Sequence, residues 1–269
     1  MKHVVNYSGG ICSFWAAKRV VEKNGKENVT LLFADTLIED EDLYRFNLQT
    51  SEHLGIPITR VCKGESPWQL FRRKGMIGNN RFPICSVILK REQLDAWHEA
   101  NCMEMDSIIY VGMDWTEEHR LKRMRLDKPH WHIEAPMMDE PIWDKCRMIS
   151  ETEKLGIAIP RLYKLGFPHN NCGGRCVRAG ISHFVHLLRV LPEKFMEWER
   201  VEEETVDELK RRGISTEWAF ILSYQKDKVR YPMSLRFLRQ RVEAGELFDT
   251  DDWGGCGCGT QFAPKELIT

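Results

Sequence analysis

The sequence predicts an α/β protein: a doubly wound, mostly parallel sheet with a helical, cysteine-bearing C-terminal extension. Three observations predict it. Short apolar runs of strand length recur along the first half; segments with helical apolar spacing alternate with them; and this alternation stops after about residue 135.

The elements follow in order. Val4 and Val5 start a short apolar strand, and Ile11 to Val21 reads as a helix with Phe14, Ala17, Val20 and Val21 on one face. "VTLLFA", residues 29–34, suits a strand buried on both faces, with Asp35 at its C-terminal end, where ligands of open α/β sheets bind. "IEDEDLYRFNLQTSEHLG" carries Leu43, Phe46 and Leu54 near helical spacing and stops at Gly55, after which "ITRVC" reads as a strand. Ser86 to Trp97 reads as a helix, "SIIYVGMDW" as a buried strand ending at Gly112, and Thr116 to Arg125 as a highly charged helix. Four such units imply parallel strands joined by helical crossovers. Beyond them come proline-containing loops, the turn-like "LGFPHNNCGGRCVRAG" and helices around Ser182–Leu191, Pro192–Val206 and Ser234–Ala244. The change divides the chain into residues 1–140 and 141–269.

Composition narrows the function classes. At 269 residues, with 42% hydrophobic and 29% charged, the chain is long and apolar enough to bury a sizeable core. Its 39 basic and 40 acidic residues leave a net charge of -1, so no global field drives it onto nucleic acid or an anionic membrane. The first residues lack the apolar stretch of a signal peptide, and no run of about 18 apolar residues exists to span a bilayer; the expectation is a cytoplasmic protein. The sequence leaves oligomeric state open, a homo-oligomer included. Nine cysteines, an odd number, point to metal or thiol chemistry rather than a disulfide framework.

"NYSGGICS", residues 6–13, sits between the first strand and the first helix. Ser8, Gly9, Gly10 and Ser13 would aim backbone N–H groups and the positive helix end at an anion, the glycines permitting close approach; the alternative is an ordinary glycine turn with a serine cap. The loop is neither a Walker A motif nor a GxGxxG fingerprint.

"SGGICS" resembles the pyrophosphate loop of the PP-loop ATP pyrophosphatase superfamily, an adenine-nucleotide alpha-hydrolase-like, HUP-type fold, and in particular its phosphoadenylyl-sulfate (PAPS) reductase-like branch. Four further segments are similar to that branch in order: "FADTLIEDEDLYRF", "CSVILKREQL", "VGMDWTEEHRLKR" and "IPRLYKLGFPHNNCGGRC". The match spans roughly residues 4–176 and extends to PAPS reductase-like proteins frequently associated with phages. Two positions depart from the pattern: Cys12 stands where many members carry Asp, and Cys172 and Cys176 are one residue further apart than the usual Cys-x-x-Cys.

The resemblance implies an adenine nucleotide over the C-terminal edge of the sheet, its phosphates on Ser8, Gly9, Gly10 and Ser13 and its adenosine near Phe33 to Asp35. Asp35 would otherwise cap the next turn. Cys85, Lys90, Glu117 and Arg123 fall in the matched segments as catalytic candidates. Lys90, Arg120 and Arg123 are candidates for contacting phosphate or a second substrate, the alternative for each being a solvated helix face. ATP and Mg²⁺ are the implied nucleotide and ion.

Cys172 and Cys176 in one glycine loop, and Cys256 and Cys258 in "GGCGCGT", form two cysteine pairs. Four thiolates would close a zinc site or hold an iron–sulfur cluster. The resemblance adds Cys85, which implies a [4Fe-4S] cluster on Cys85, Cys172, Cys176 and one of Cys256 or Cys258; Zn²⁺ on the four late cysteines is the alternative. Cys12, Cys62, Cys102 and Cys146 read as small core hydrophobes. His169 beside the loop is a ligand or proton-transfer candidate, or an ordinary hydrogen-bonded histidine. "HRLKRMRLDK", residues 119–128, is a candidate polynucleotide contact or a solvated face with charge pairs.

Three functions follow as expectations. The first is an enzyme that adenylates a substrate with release of pyrophosphate, in nucleobase or sulfur-transfer modification, with a nucleic acid or sulfur donor as partner. The second is a thiol- or cluster-dependent reductase of an adenylylated sulfate, although the chain lacks the C-terminal cysteine motif of such reductases unless "GGCGCG" substitutes. The third is a non-catalytic nucleotide-binding module.

Overall fold

The computed structural model describes residues 1–248 and 253–254. Five parallel strands form the central sheet: β1 Lys2–Asn6, β2 Val29–Asp35, β3 Ile58–Cys62, β4 Ser107–Val111 and β5 His132–Glu134, in the order β3-β2-β1-β4-β5. Val5 pairs with Leu31 on one side and Tyr110 on the other. Winding outward from β1 in both directions makes the β1/β4 boundary the switch point, so the loops leaving those two strands diverge and a crevice opens at their C-terminal ends.

Helices α1 Ile11–Asn24, α2 Glu41–Leu54, α3 Pro67–Lys74, α4 Glu92–Asn101 and α5 Glu118–Asp127 connect the strands. The residues that read as apolar in the sequence do the packing: Val5, Leu31 and Phe46 meet Phe14, Ala16, Ala17 and Val20 of α1. Local chemistry sets the ends. Asp40 caps α2 by accepting from Asp42 N, Gly55 ends that helix in the left-handed region, and Ser66 with Gln69 forms a capping box on α3. Before α4 the chain makes a π-helical turn, Ser86–Arg91, where the sequence suggested a uniform helix.

The second half is helical as expected, with α8 Ile181–Val190, α9 Pro192–Arg211 and α10 Leu235–Glu243 where the sequence placed helices, and with two more that it did not anticipate, α6 Lys145–Lys154 and α7 Arg161–Lys164. It also holds an unanticipated antiparallel hairpin, β6 Leu222–Lys226 and β7 Val229–Met233. Its turn residues Asp227 and Lys228 both have positive φ, a geometry usually announced by Asn-Gly or Asp-Gly, so the sequence signal was weak. The buried Glu202 of α9 fastens both ends of the hairpin, accepting from Ile221 N at 3.0 Å and Leu235 N at 2.7 Å.

The halves are laced together at several places, among them α1 with α6 and α3 with α8 and α9. Trp15 Nε1 of α1 donates to Met148 O and Thr152 Oγ1 of α6, both at 2.9 Å. Trp68 and Phe71 of α3 share a core with Phe184, Leu187, Phe195 and Trp198 of α8 and α9. No helix among the described residues is long and apolar enough to cross a membrane.

Two buried histidines of α8 brace the loops before it. His183 Nε2–H donates to Gly174 O at 2.7 Å and His186 Nε2–H to Leu165 O at 2.6 Å, with Phe167 and Trp253 against their rings. Burial holds His183 down at about 4, despite its bond to Gly174, and also lowers His186. An unfolded imidazole titrates near 6.5, so between pH 6.5 and 4 the unfolded chain binds more protons and stability falls as pH falls. We expect His183→Gln to lose about 3 kcal/mol less stability than wild type between pH 7 and pH 4 in urea titrations. Equal losses would show that His183 is not a buried neutral group.

Candidate functional site

The glycine loop leaves β1 at the switch point and turns directly into α1. Gly9 has φ +74°, and a Cβ there would sit 2.8 Å from both Asn47 Oδ1 and Leu43 Cγ, so only glycine makes this turn. Gly10 caps the helix. Its N–H donates to Ser13 Oγ at 3.2 Å, Ser13 Oγ donates to Gly10 O at 2.8 Å, and Ser8 Oγ lies 3.2 Å from Ser13 Oγ. From the neighbouring strand, Gly112 presses against the same turn: a Cβ there would lie 2.5 Å from Ser13 Cα. Ser8, Gly9, Gly10 and Ser13 thus form one compact turn at the positive end of a four-turn helix.

The second half of the chain covers this turn. Tyr163 OH accepts from Ile11 N at 3.3 Å, and Asn170 Nδ2 donates to Gly9 O at 2.9 Å. Lys145, buried, lies over the Tyr163 ring and donates to Pro168 O at 2.6 Å. His169, between Pro168 and Asn170 in sequence, has a buried Nε2 with no hydrogen-bond partner. Burial holds its pKa well below the ordinary value, and the charges of Lys145 and Arg120 push it the same way, so it is neutral near pH 7. Asn47 Oδ1 and Asn170 Oδ1, both next to Gly9, are likewise buried without partners. Sequence reading found His169 but missed Tyr163, Lys145, Asn47 and Asn170, whose relevance comes only from chain reversal.

Residues 35–40, from the last residue of β2 onward, supply three buried carboxylates. Asp35 accepts from Tyr44 OH at 3.0 Å, Arg60 Nε at 2.8 Å and Leu37 N at 2.8 Å. It therefore caps the turn at Leu37. Glu39 accepts from Thr36 Oγ1 at 3.0 Å, Lys90 Nζ at 3.1 Å and Cys172 N. Asp40 binds Arg161 of α7 and Lys194 of α9, each at 2.7 Å. Burial alone would raise the Asp40 pKa, but these two cations outweigh it and hold the carboxyl below its usual range.

The cysteine side adjoins this row. Cys172, Gly173 and Gly174 all have positive φ, a conformation costly for Cys172, and the turn rests on Ile38 O. Lys90 Nζ lies 4.0 Å from Cys172 Sγ. Burial opposes the charge on Lys90, yet Cys172 and Glu39 outweigh it and keep the ammonium above its ordinary range. Cys85 is pushed up to about 12 by burial and by the neighbouring Cys172, so as a lone thiol it is a poor nucleophile. Cys176 contributes to the field at Lys90. The structure therefore brings Cys85, Lys90, Cys172 and Cys176 into one neighbourhood. Among the described residues no group of three or more His, Cys, Asp or Glu side chains is arranged to hold a metal. Cys256 and Cys258 lie outside the described residues. Gly254, two residues before Cys256, forms a β-bridge with Ala179, three residues after Cys176.

Of the other candidates, Glu117, in a turn after β4, pairs with Arg120, whose charge also reaches His169. Arg123 is 78% exposed on α5 and pairs with Asp127. The whole basic run is similarly engaged: Lys122 pairs with Glu118, Lys128 with Asp95, and Arg125 donates to Ile133 O. Arg120 apart, whose charge also reaches His169, it is the solvated, internally paired face. Cys12, Cys62 and Cys102 are half-buried, but Cys146 is exposed on α6 rather than a core hydrophobe, because it follows the buried Lys145 and faces away from α1.

No family model matches the chain, and no curated protein sequence matches it. Among solved structures it is similar to phosphoadenylyl-sulfate (PAPS) reductase from Candida auris in complex with phosphate, at 14% identity over 62% of this chain and 79% of that chain, with a TM-score of 0.46.

Proposed function

We propose that the chain is an ATP-binding enzyme of the PP-loop type that adenylates an acceptor and releases pyrophosphate. One observation carries this reading: a glycine turn on a helix N-terminus at the sheet's switch point, with buried, unpartnered polar atoms of Asn47, His169 and Asn170 around it. The N–H groups of Gly10 and Ile11 now donate to the hydroxyls of Ser13 and Tyr163, partners that a phosphate oxygen can replace by small rotations.

In this reading the nucleotide supplies an electrophilic α-phosphorus and a pyrophosphate leaving group. The loop and the helix end hold the phosphates, while Lys145 and Arg120 offset their charge. A Mg²⁺ ion bound with the triphosphate would be held mainly by phosphate oxygens and water and would offset part of the phosphate charge. The oxygen of the acceptor attacks the α-phosphorus as the bond to pyrophosphate breaks. His169, neutral and close to both cations, is able to accept a hydrogen bond from that oxygen without adding charge.

The described thiols do not by themselves complete a metal cage. We propose Cys85, Cys172 and Cys176, joined by Cys256 or Cys258, as the set that holds a [4Fe-4S] cluster, or zinc on the four late cysteines. The Gly254 bridge supports this, since Gly254 is paired to the segment after Cys176 and stands two residues before Cys256 in the sequence. The strained Cys172 next to Lys90 favours one second reading, a thiolate-dependent reductase of an adenylylated sulfate.

Pyrophosphate release from ATP, stimulated by an acceptor, is the expected outcome for full-length protein. Thiol-dependent sulfite release would instead select the reductase, and intact ATP with every acceptor would reduce the chain to a binding module. Gly112→Ala is expected to weaken ATP binding at least about tenfold in calorimetry, because its Cβ meets Ser13 backbone that cannot rotate away. Unchanged affinity would remove the phosphates from this loop. For the cysteines, anaerobically purified protein is expected to carry iron with acid-labile sulfide, or zinc, and Cys172→Ser to lose it. Absence of all three from wild type would exclude the cage.

A further inference from the structure

A separate concavity lies beside the segment that follows the cysteine loop. It has a volume of about 520 Å³, within the range of roughly 300–1,000 Å³ usual for ligand sites, and is walled by residues 75–82, 179–181 and 215–223, with Arg230 at its edge. Ile77, Ala179, Ala219 and Ile221 make an apolar floor. Two large aromatic side chains stand exposed on its rim, Phe82 at 59% and Trp218 at 49%. Nothing in the core explains their exposure.

The charges around this groove differ in kind from those of α5. Arg81 and Arg230 line it and have no ion-pair partner among the described residues, nor do Lys74 and Lys228 close to it in sequence. Register places Arg230 opposite Gln225 and Pro232 opposite Ser223, so this hairpin face turns to the groove while the Tyr224–Tyr231 face packs toward α10. The acids in these segments are Glu217 and Asp227, both exposed. Asn79 Oδ1 caps the turn at Arg81 and Phe82, which leaves its amide N–H₂ pointing outward as a donor. Unpaired guanidinium groups, exposed aromatic faces and free amides on one open groove are the components that stack bases and track a phosphodiester backbone.

We propose that this groove binds single-stranded nucleic acid, with a base stacked on Trp218 or Phe82 and backbone phosphates on Arg81 and Arg230. The surface carries net positive charge on a chain whose total is -1, so the attraction is local. A free nucleotide has its own place at the glycine loop; an open groove with cations spread along it suits a longer polyanion. The groove also leads toward the chemistry: Phe82 is three residues before Cys85, and Ala179 three after Cys176, so the chain segments that wall it carry those two thiols. In naming the acceptor class this inference rests on the adenylation reading, but binding is measurable without it.

The test is fluorescence anisotropy of full-length protein with labelled oligo(dT) and oligo(U) of twelve nucleotides at low and moderate salt, alongside ATP affinity. Wild type is expected to bind one or both, with affinity falling steeply as salt rises. Arg81→Glu with Arg230→Glu is expected to weaken binding at least about tenfold and flatten the salt dependence, and Trp218→Ala to weaken it at least about fivefold. Lys122→Glu on α5 should bind as wild type does, and all variants should keep wild-type ATP affinity. No binding by wild type, equal loss in Lys122→Glu, or displacement by polyglutamate as effective as by unlabelled oligonucleotide would overturn the proposal. Loss of ATP turnover with oligonucleotide binding intact would overturn only the adenylation reading.

Discussion

Three buried carboxylates within six residues organise this molecule. Asp35, Glu39 and Asp40 run from the last residue of β2 onward at the sheet's C-terminal edge, and each takes its cation from a different element: Arg60 from β3, Lys90 from the π-helical turn, Arg161 and Lys194 from α7 and α9. Charges at this depth persist only when paired and hydrogen-bonded, and removal of one partner typically costs about 3–5 kcal/mol. The row therefore dictates where the second half of the chain must dock. Through Glu39 it reaches Cys172, and through Asp40 it reaches the short helix that carries Tyr163. Glycine loop, thiol loop and sheet edge are one assembly because this acidic turn holds all three.

Local rules made the sheet legible. "VTLLFA" is apolar throughout because β2 lies between two other strands with helices on both faces, and the amphipathic spacing of α1 and α2 survives unchanged in the packing. The elements that escaped notice are those in which tertiary contacts outweigh pattern. β5 is three residues long with one buried side chain, and α3 owes its place to Trp68 and Phe71 in a core built mostly from the other half. The hairpin turns on Asp-Lys, a pair that carries no strong turn preference.

The site was legible in the same uneven way. Ser8 to Ser13 and the thiol loop could be read as motifs, because glycines and cysteines at short spacing leave few bland explanations. Asp35 shows the limit: an acid at a strand end is equally apt to meet a ribose or its own backbone, and here it meets Leu37 N, Tyr44 and Arg60. Lys145 had no signature, and Tyr163 and Asn170 lay unremarked inside a matched segment, since what matters about those two is a contact more than a hundred residues away in sequence. Lys122 and Arg123 of the basic run had a strong signature that acids one turn away cancel.

Gly112 and Gly254 share a property that outlasts resemblance in side chains. At both positions an added Cβ would strike backbone rather than a movable side chain, Ser13 in one case and the Ala179–Gly180 segment in the other. Backbone collisions cannot be relieved by repacking, so these two sites tolerate no drift while helices and surface acids around them are free to change. For tracing distant kin of this chain, a glycine just past the fourth strand and another shortly before the final cysteines make a steadier signature than the cysteines themselves. Thiols are exchanged when chemistry changes, whereas a backbone crossing is kept for as long as the fold is.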